Sequence, residues 1–277
     1  MLPSDANIHG NVHGGIILNL IEEAGAVLTT RYCNRAASTG MTKVPCVTAL
    51  ARIERMDFVS PMHIGELAEV EGRILYTSSH SLEVQVSVSS EDIILSRRRL
   101  ISRARLWYVP LSLADVEKIP PVPRMTYSSD EEEQRGRQAY QKQRADRMRK
   151  ASEPCLTALL ANGLDSMGPC VTACVDAINF HKKIKEGSLV TVIGQATFTS
   201  SRSLEIEVIV EIESYRGEDD ARERAVDAFF TFVSIDGDGK ARNVPKLLRE
   251  NTLEEKRFQS GERRYLKRKE ERKTGSE

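Results

Sequence analysis

Shifted by 122 residues, so that Tyr76 falls on Phe198, the chain matches itself. Tyr76-Thr-Ser-Ser-His-Ser-Leu-Glu-Val84 lies over Phe198-Thr-Ser-Ser-Arg-Ser-Leu-Glu-Ile206. The same shift pairs Asp57-Phe58 with Asn179-Phe180, Gly65 with Gly187 and Ala51 with Ala173. A shift longer by two residues pairs Ala104-Arg-Leu-Trp-Tyr-Val109 with Ala228-Phe-Phe-Thr-Phe-Val233. One long, nearly gapless self-match marks a duplicated domain rather than a solenoid, whose unit recurs many times.

The repeated part is strand-like. Leu82, Val84, Val86 and Val88 alternate with Glu83, Gln85 and Ser87, the period of a sheet with one wet face. Further runs cover Pro45–Phe58 and Leu67–Tyr76, and a last one, Ile101–Tyr108, is expected to end before Pro110. A helix precedes them. Ile16, Ile17, Leu20, Ile21, Ala24, Val27 and Leu28 recur at spacings of three and four. Gly25 and the neighbouring alanines smooth its other side, which predicts burial around most of its circumference. Helix first, then antiparallel strands, is an α+β order.

That helix begins at Gly14 and Gly15, where free N–H groups and the positive end of the helix dipole suit anions and polarised carbonyls. Asn11 and His13 place short polar groups just ahead of the turn. Glu22 and Glu23 sit two turns in, among apolar neighbours, where a carboxylate needs a partner or a role.

The two copies differ. The first has a full helix ahead of its strands. In the second that space holds Ala151–Gly168, with a short helical stretch at Cys155–Leu164 and no His-Gly-Gly. The second sheet is therefore expected to leave apolar surface uncovered unless another chain or this short substitute fills it. The expected boundaries are 1–118 for the first domain, 119–150 for an exposed, charged linker helix, 151–250 for the truncated second domain, and 251–277 for a charged tail, a helix that frays into disorder.

Lys+Arg and Asp+Glu both number 40, so zero net charge argues against a general nucleic-acid binder. No apolar run is long enough to span a membrane. Cys33, Cys46, Cys155, Cys170 and Cys174 form no metal-ligand spacing with the histidines. An odd cysteine count without a secretory signal predicts reduced thiols and a cytoplasmic setting, with no cofactor or metal.

Gly10-Asn-Val-His-Gly-Gly15, Ile21-Glu-Glu-Ala-Gly-Ala26, Leu106-Trp-Tyr-Val-Pro-Leu-Ser112, Val175-Asp-Ala-Ile-Asn-Phe-His181 and Ala228-Phe-Phe-Thr-Phe-Val233 form an ordered set. Together they resemble the cytosolic long-chain acyl-CoA thioesterases with two hotdog domains in tandem, in which a curved sheet wraps a long helix. The resemblance covers nearly the whole chain except about 150–170. It implies hydrolysis of fatty acyl-CoA to free fatty acid and CoA, in a homo-oligomer of double domains.

Carried residue by residue, the resemblance puts the thioester carbonyl at the N–H of Gly14 or Gly15, with His13 shaping the turn. Asn11 would position water or substrate. The family's partner to that Asn is an acid seven residues after the second domain's His-Gly-Gly, which has no counterpart here. The equivalent position in the first domain is Glu22, which would have to come from a second copy. Ser201 and Arg202, in the hairpin equivalent to Ser79-His80, are candidate contacts for the CoA phosphates on charge alone. Two alternatives keep the fold: an acyl-CoA-binding protein without hydrolysis, and an enoyl-CoA hydratase. The hydratase would want an Asp set beside His13.

Overall fold

The computed structural model describes residues 1–7, 9–35, 45–150, 169–213 and 222–274. They fall into two compact units, residues 1–155 with 179–181, and residues 156–178 with 182–277.

In unit one, helix α1 (Gly14–Arg35) precedes strands β1 (Cys46–Ile53), β2 (Met56–Phe58), β3 (Leu67–Thr77), β4 (Leu82–Asp92) and β5 (Arg97–Ser112). They pair antiparallel in the order β3-β4-β5-β1, with β2 alongside β5. The alternation in β4 is realised as expected: Val84, Val86 and Val88 are fully buried on the inner face, against α1. Strand β5 runs through Pro110, which pairs with Thr48 of β1. Pairing of β5 with β4 ends at Leu82–Tyr108, so within this unit β5 has only β1 beside it at Pro110 and the missing N–H is tolerated.

Helix α1 buries a single stripe, Ile17, Ile21, Gly25, Thr29 and Cys33, at strict four-residue spacing. This corrects the expectation of burial all round: Ile16 and Val27 on the other side are exposed, because the sheet of one unit covers one side of a helix. Gly25 has a specific reason to be glycine. A Cβ there would lie 2.3 Å from the hydroxyl of Tyr108, which donates a 2.8 Å hydrogen bond to the Glu22 carbonyl. Further along, Thr29 and Thr48 share a 2.6 Å hydroxyl contact, and Thr29 also donates to the Gly25 carbonyl.

The charged segment expected to be an exposed linker is helix α2 (Asp130–Lys150), capped by Ser129, whose hydroxyl accepts from the Glu132 N–H. It lies on the outer face of the sheet rather than in solvent. Gly136 meets Tyr76, and Tyr140 packs 6.1 Å from Tyr76 and 5.9 Å from Trp107 between ring centroids.

Unit two holds β6 (Cys170–Phe180) as far as Ile178, β7 (Leu189–Thr199), β8 (Ser203–Glu213) and β9 (Glu223–Ser234) in the order β6-β9-β8-β7, followed by α3 (Thr252–Thr274). This repeats the order of β1, β5, β4 and β3. Even the irregularities recur: the bulge between Ile74 and Tyr76 returns between Ala196 and Phe198, and that after Val88 returns after Val210. The segment Cys155–Leu164 lies outside the described residues. The tail expected as a fraying helix is helical over 23 residues, and it is docked on β7.

The docked helices are themselves copies. Gln134-x-Gly136-x-x-x-Tyr140 returns as Gln259-x-Gly261-x-x-x-Tyr265. A Cβ at Gly261 would meet Phe198 just as one at Gly136 would meet Tyr76, and Tyr265 stacks 5.4 Å from Phe198. The duplicated element is a sheet with an outer helix.

Candidate active site

The start of α1 is held by a backbone clamp. The Val12 N–H donates to the carbonyl of Met62, a buried residue in the β2–β3 connection, at 2.8 Å, and the His13 N–H donates to the Asp5 carbonyl at 2.8 Å. Asn7 closes the loop below. Its side-chain oxygen accepts from the N–H groups of His9 and Asn11, and its own N–H donates to the Asn11 carbonyl. Gly10 turns this loop at a φ of 76°, which glycine adopts without strain.

His13 acts as the helix cap. Its Nδ1 accepts from the Gly15 N–H at 3.0 Å, and its carbonyl accepts from Ile16 at 2.9 Å. Of the two glycine donors expected from the sequence, Gly15 is thereby engaged inside the turn. Among the described residues the Gly14 N–H has no acceptor, and neither does the side-chain amide of Asn11, three residues away on the same clamped loop. One N–H at the positive end of a 22-residue helix, beside one unengaged amide, suits a polarised carbonyl with water or substrate next to it.

Glu22 does not join them within one copy. It follows Gly14 by eight residues of helix, an axial rise of about 12 Å. Burial, and then the charge of adjacent Glu23, raise its pKa above the ordinary carboxylate value, the direction a general base needs. Glu23 is spent on the surface, where it accepts from the Asn19 amide at 2.8 Å. Ser201 and Arg202 sit at an exposed hairpin in unit two. The hydroxyl of Ser200 accepts from the N–H groups of Arg202 and Ser203, which is ordinary turn chemistry. The Ser201 carbonyl accepts from Val244, and the Arg202 guanidinium has no partner among the described residues.

Two acids beneath the outer helices were not singled out by the sequence pattern. Glu83 and Glu205 occupy the same place in the two copies and are nearly inaccessible, at 2% and 1% exposure. Their surroundings differ. Burial would push Glu205 up, but Arg264 at 2.7 Å, Thr197 at 2.8 Å and Arg268 at 3.3 Å together hold it below the usual carboxylate range. Burial pushes Glu83 up to about 7. Arg105, 3.9 Å away, works against the rise, and Glu54 adds to it. Where α3 offers Arg268, α2 offers Gln143, whose buried Oε1 finds no partner among the described residues. The repeated Gln-x-Gly-x-x-x-Tyr was the signal that could have placed both acids under helices. Among the described residues no cluster of acidic, His or Cys side chains could hold a metal.

The thioesterase superfamily model matches residues 9–96 and 153–216, which include the clamped loop, α1 and most of both sheets. The chain belongs to the thioesterase superfamily. Its two units are hotdog domains, each an antiparallel sheet, the first wrapped on α1. The cytosolic acyl coenzyme A thioester hydrolase of Homo sapiens is 42% identical over 312 aligned positions, which span 96% of this chain and 81% of the relative. That alignment is longer than the 277 residues of this chain, so the human relative carries residues for which this thioesterase has none. An acyl-CoA thioester hydrolase of Bacillus subtilis, YkhA, is 26% identical over 132 positions, 48% of this chain and 69% of the relative. Among solved structures, an apo-hexameric acyl-CoA thioesterase matches 56% of this chain and 90% of its own at 27% identity and a TM-score of 0.45.

Proposed function

We propose that this chain hydrolyses fatty acyl-CoA thioesters to free fatty acid and CoA, at a site built on the start of α1. Family membership and the human relative's activity support the reaction class. The observation that carries the site is the unengaged Gly14 N–H beside the unengaged Asn11 amide. The thioester oxygen accepts from Gly14 as it takes on negative charge. A donor of this kind contributes roughly 10²–10³ to kcat. Asn11 orients the attacking water or the substrate, and a carboxylate removes the proton from that water.

That carboxylate is Glu22 of a second copy, because the Glu22 of the same chain stands two helical turns away. The test mixes two disabled chains. Asn11→Ala and Glu22→Gln are each expected to lose palmitoyl-CoA hydrolysis. Co-expressed, they form mixed dimers in which one site regains both groups, and roughly a quarter of wild-type activity returns. Two inactive variants that stay inactive together would end the shared-site reading. A fully active Glu22→Gln would do the same. Saturable palmitoyl-CoA binding by the wild type without CoA release would instead identify a binding protein.

A further inference from the structure

In unit two the burial of the sheet is inverted. Along β8, Ile206, Val208, Val210 and Ile212 alternate with Glu205, Glu207, Ile209 and Glu211, yet Glu205, Glu207 and Ile209 are the buried set, on the face beneath α3. The first four are the partly exposed set, although their counterparts Val84, Val86 and Val88 in unit one are fully buried by α1. On β9, Phe230 and Phe232 are partly exposed where Leu106 and Tyr108 are fully buried. On β7, Val190 and Val192 are 43% and 66% exposed. Beyond the cluster that Ala196 and Leu204 form with Val244, this apolar face is left partly exposed, and one of that extent marks an interaction site.

The face retains the shape of a helix seat. In unit one, Gly72 pairs with Val86, and a Cβ there would lie 3.1 Å from Leu28 of α1, so the glycine is a notch that receives the leucine. Gly194 stands at the same place, paired with Val208, and a Cβ there would meet only Ile206, at 3.7 Å. The notch has been kept, and no described residue fills it. Among the described residues no second helix of the α1 kind precedes these strands. Residues 151–169 are all that lie between α2 and β6, fewer than the 22 of α1 alone.

We propose that the inner face of this sheet docks a helix supplied by another polypeptide. The helix is amphipathic and of the α1 kind, with small or aliphatic residues at every fourth position and a leucine-sized side chain entering the notch at Gly194. The equivalent sheet of unit one, with the same strand order and the same bulges, is the template for this occupant.

The test titrates the full chain into a fluorescently labelled peptide of residues 13–35, read by anisotropy, with a scrambled peptide as control. Saturable binding by the α1 peptide alone is expected. Gly194→Leu fills the notch from an open position and is expected to weaken binding at least tenfold while its circular-dichroism melt matches that of wild type. Equal binding of both peptides, or undiminished binding by Gly194→Leu, overturns the proposal. A face taken by the chain's own residues or by a second copy would leave the peptide unbound, which also overturns it. In the second-copy case light scattering would show a dimer that Gly194→Leu breaks.

Discussion

Replacing Glu83 by Gln should make unit one more stable at pH 8 and leave it unchanged at pH 4.5. An unfolded chain releases this proton near 4.5, whereas the folded unit holds it until about 7. Between those values the folded state binds more protons, so stability falls as pH rises through the window and stays low above it. At about 1.4 kcal/mol per unit, ionised Glu83 costs the folded unit about 3 kcal/mol, a large fraction of a domain's stability. Gln keeps the volume and cannot ionise. The chain contains one tryptophan, Trp107, which pairs directly across from Glu83, so its fluorescence reports on this unit. Urea unfolding followed at Trp107 should give the variant a gain of about 3 kcal/mol at pH 8, shrinking to near zero at pH 4.5. A difference independent of pH, or a loss at pH 8, would refute the reasoning.

The equivalent change in unit two has the opposite sign. The pKa of Glu205 is held low, so its contribution is present above the ordinary carboxylate pKa and lost as pH falls through its lowered value. Glu205→Gln strands Arg264, while Arg268 keeps Asp176, and should cost roughly 3–5 kcal/mol at pH 7, measured as loss of α3 helicity in urea. Gly25→Ala drives a methyl group onto the Tyr108 ring and should destabilise unit one by roughly 1–3 kcal/mol. Adding Tyr108→Phe should recover only part of that, since the ring carbon beneath the hydroxyl is still 2.8 Å from the new Cβ. Full recovery would show that the hydroxyl alone sets the requirement for glycine.

Local period and turn chemistry make much of this protein legible in its amino-acid order. The two-residue alternation of β4 and β8, the Ser-rich hairpins and the His-Gly-Gly helix start depend on neighbours a few residues away, and the duplication is visible in the letters themselves. Asn11, His13, Gly14 and Gly15 can be gathered as a site for the same reason. Only the tertiary structure decides that His13 takes the Gly15 N–H and leaves that of Gly14 open, that Gly25 makes room for Tyr108, and that α2 and α3 are docked. Which face of β8 lies inside is likewise undecided by its pattern. Ile206-x-Val208-x-Val210 reads as a core face, yet Glu205, Glu207 and Ile209 on the opposite face are the more deeply buried. Alternation divides a strand into two faces by local geometry; the face that is buried is decided by whichever distant segment packs on it, here the arginines of α3.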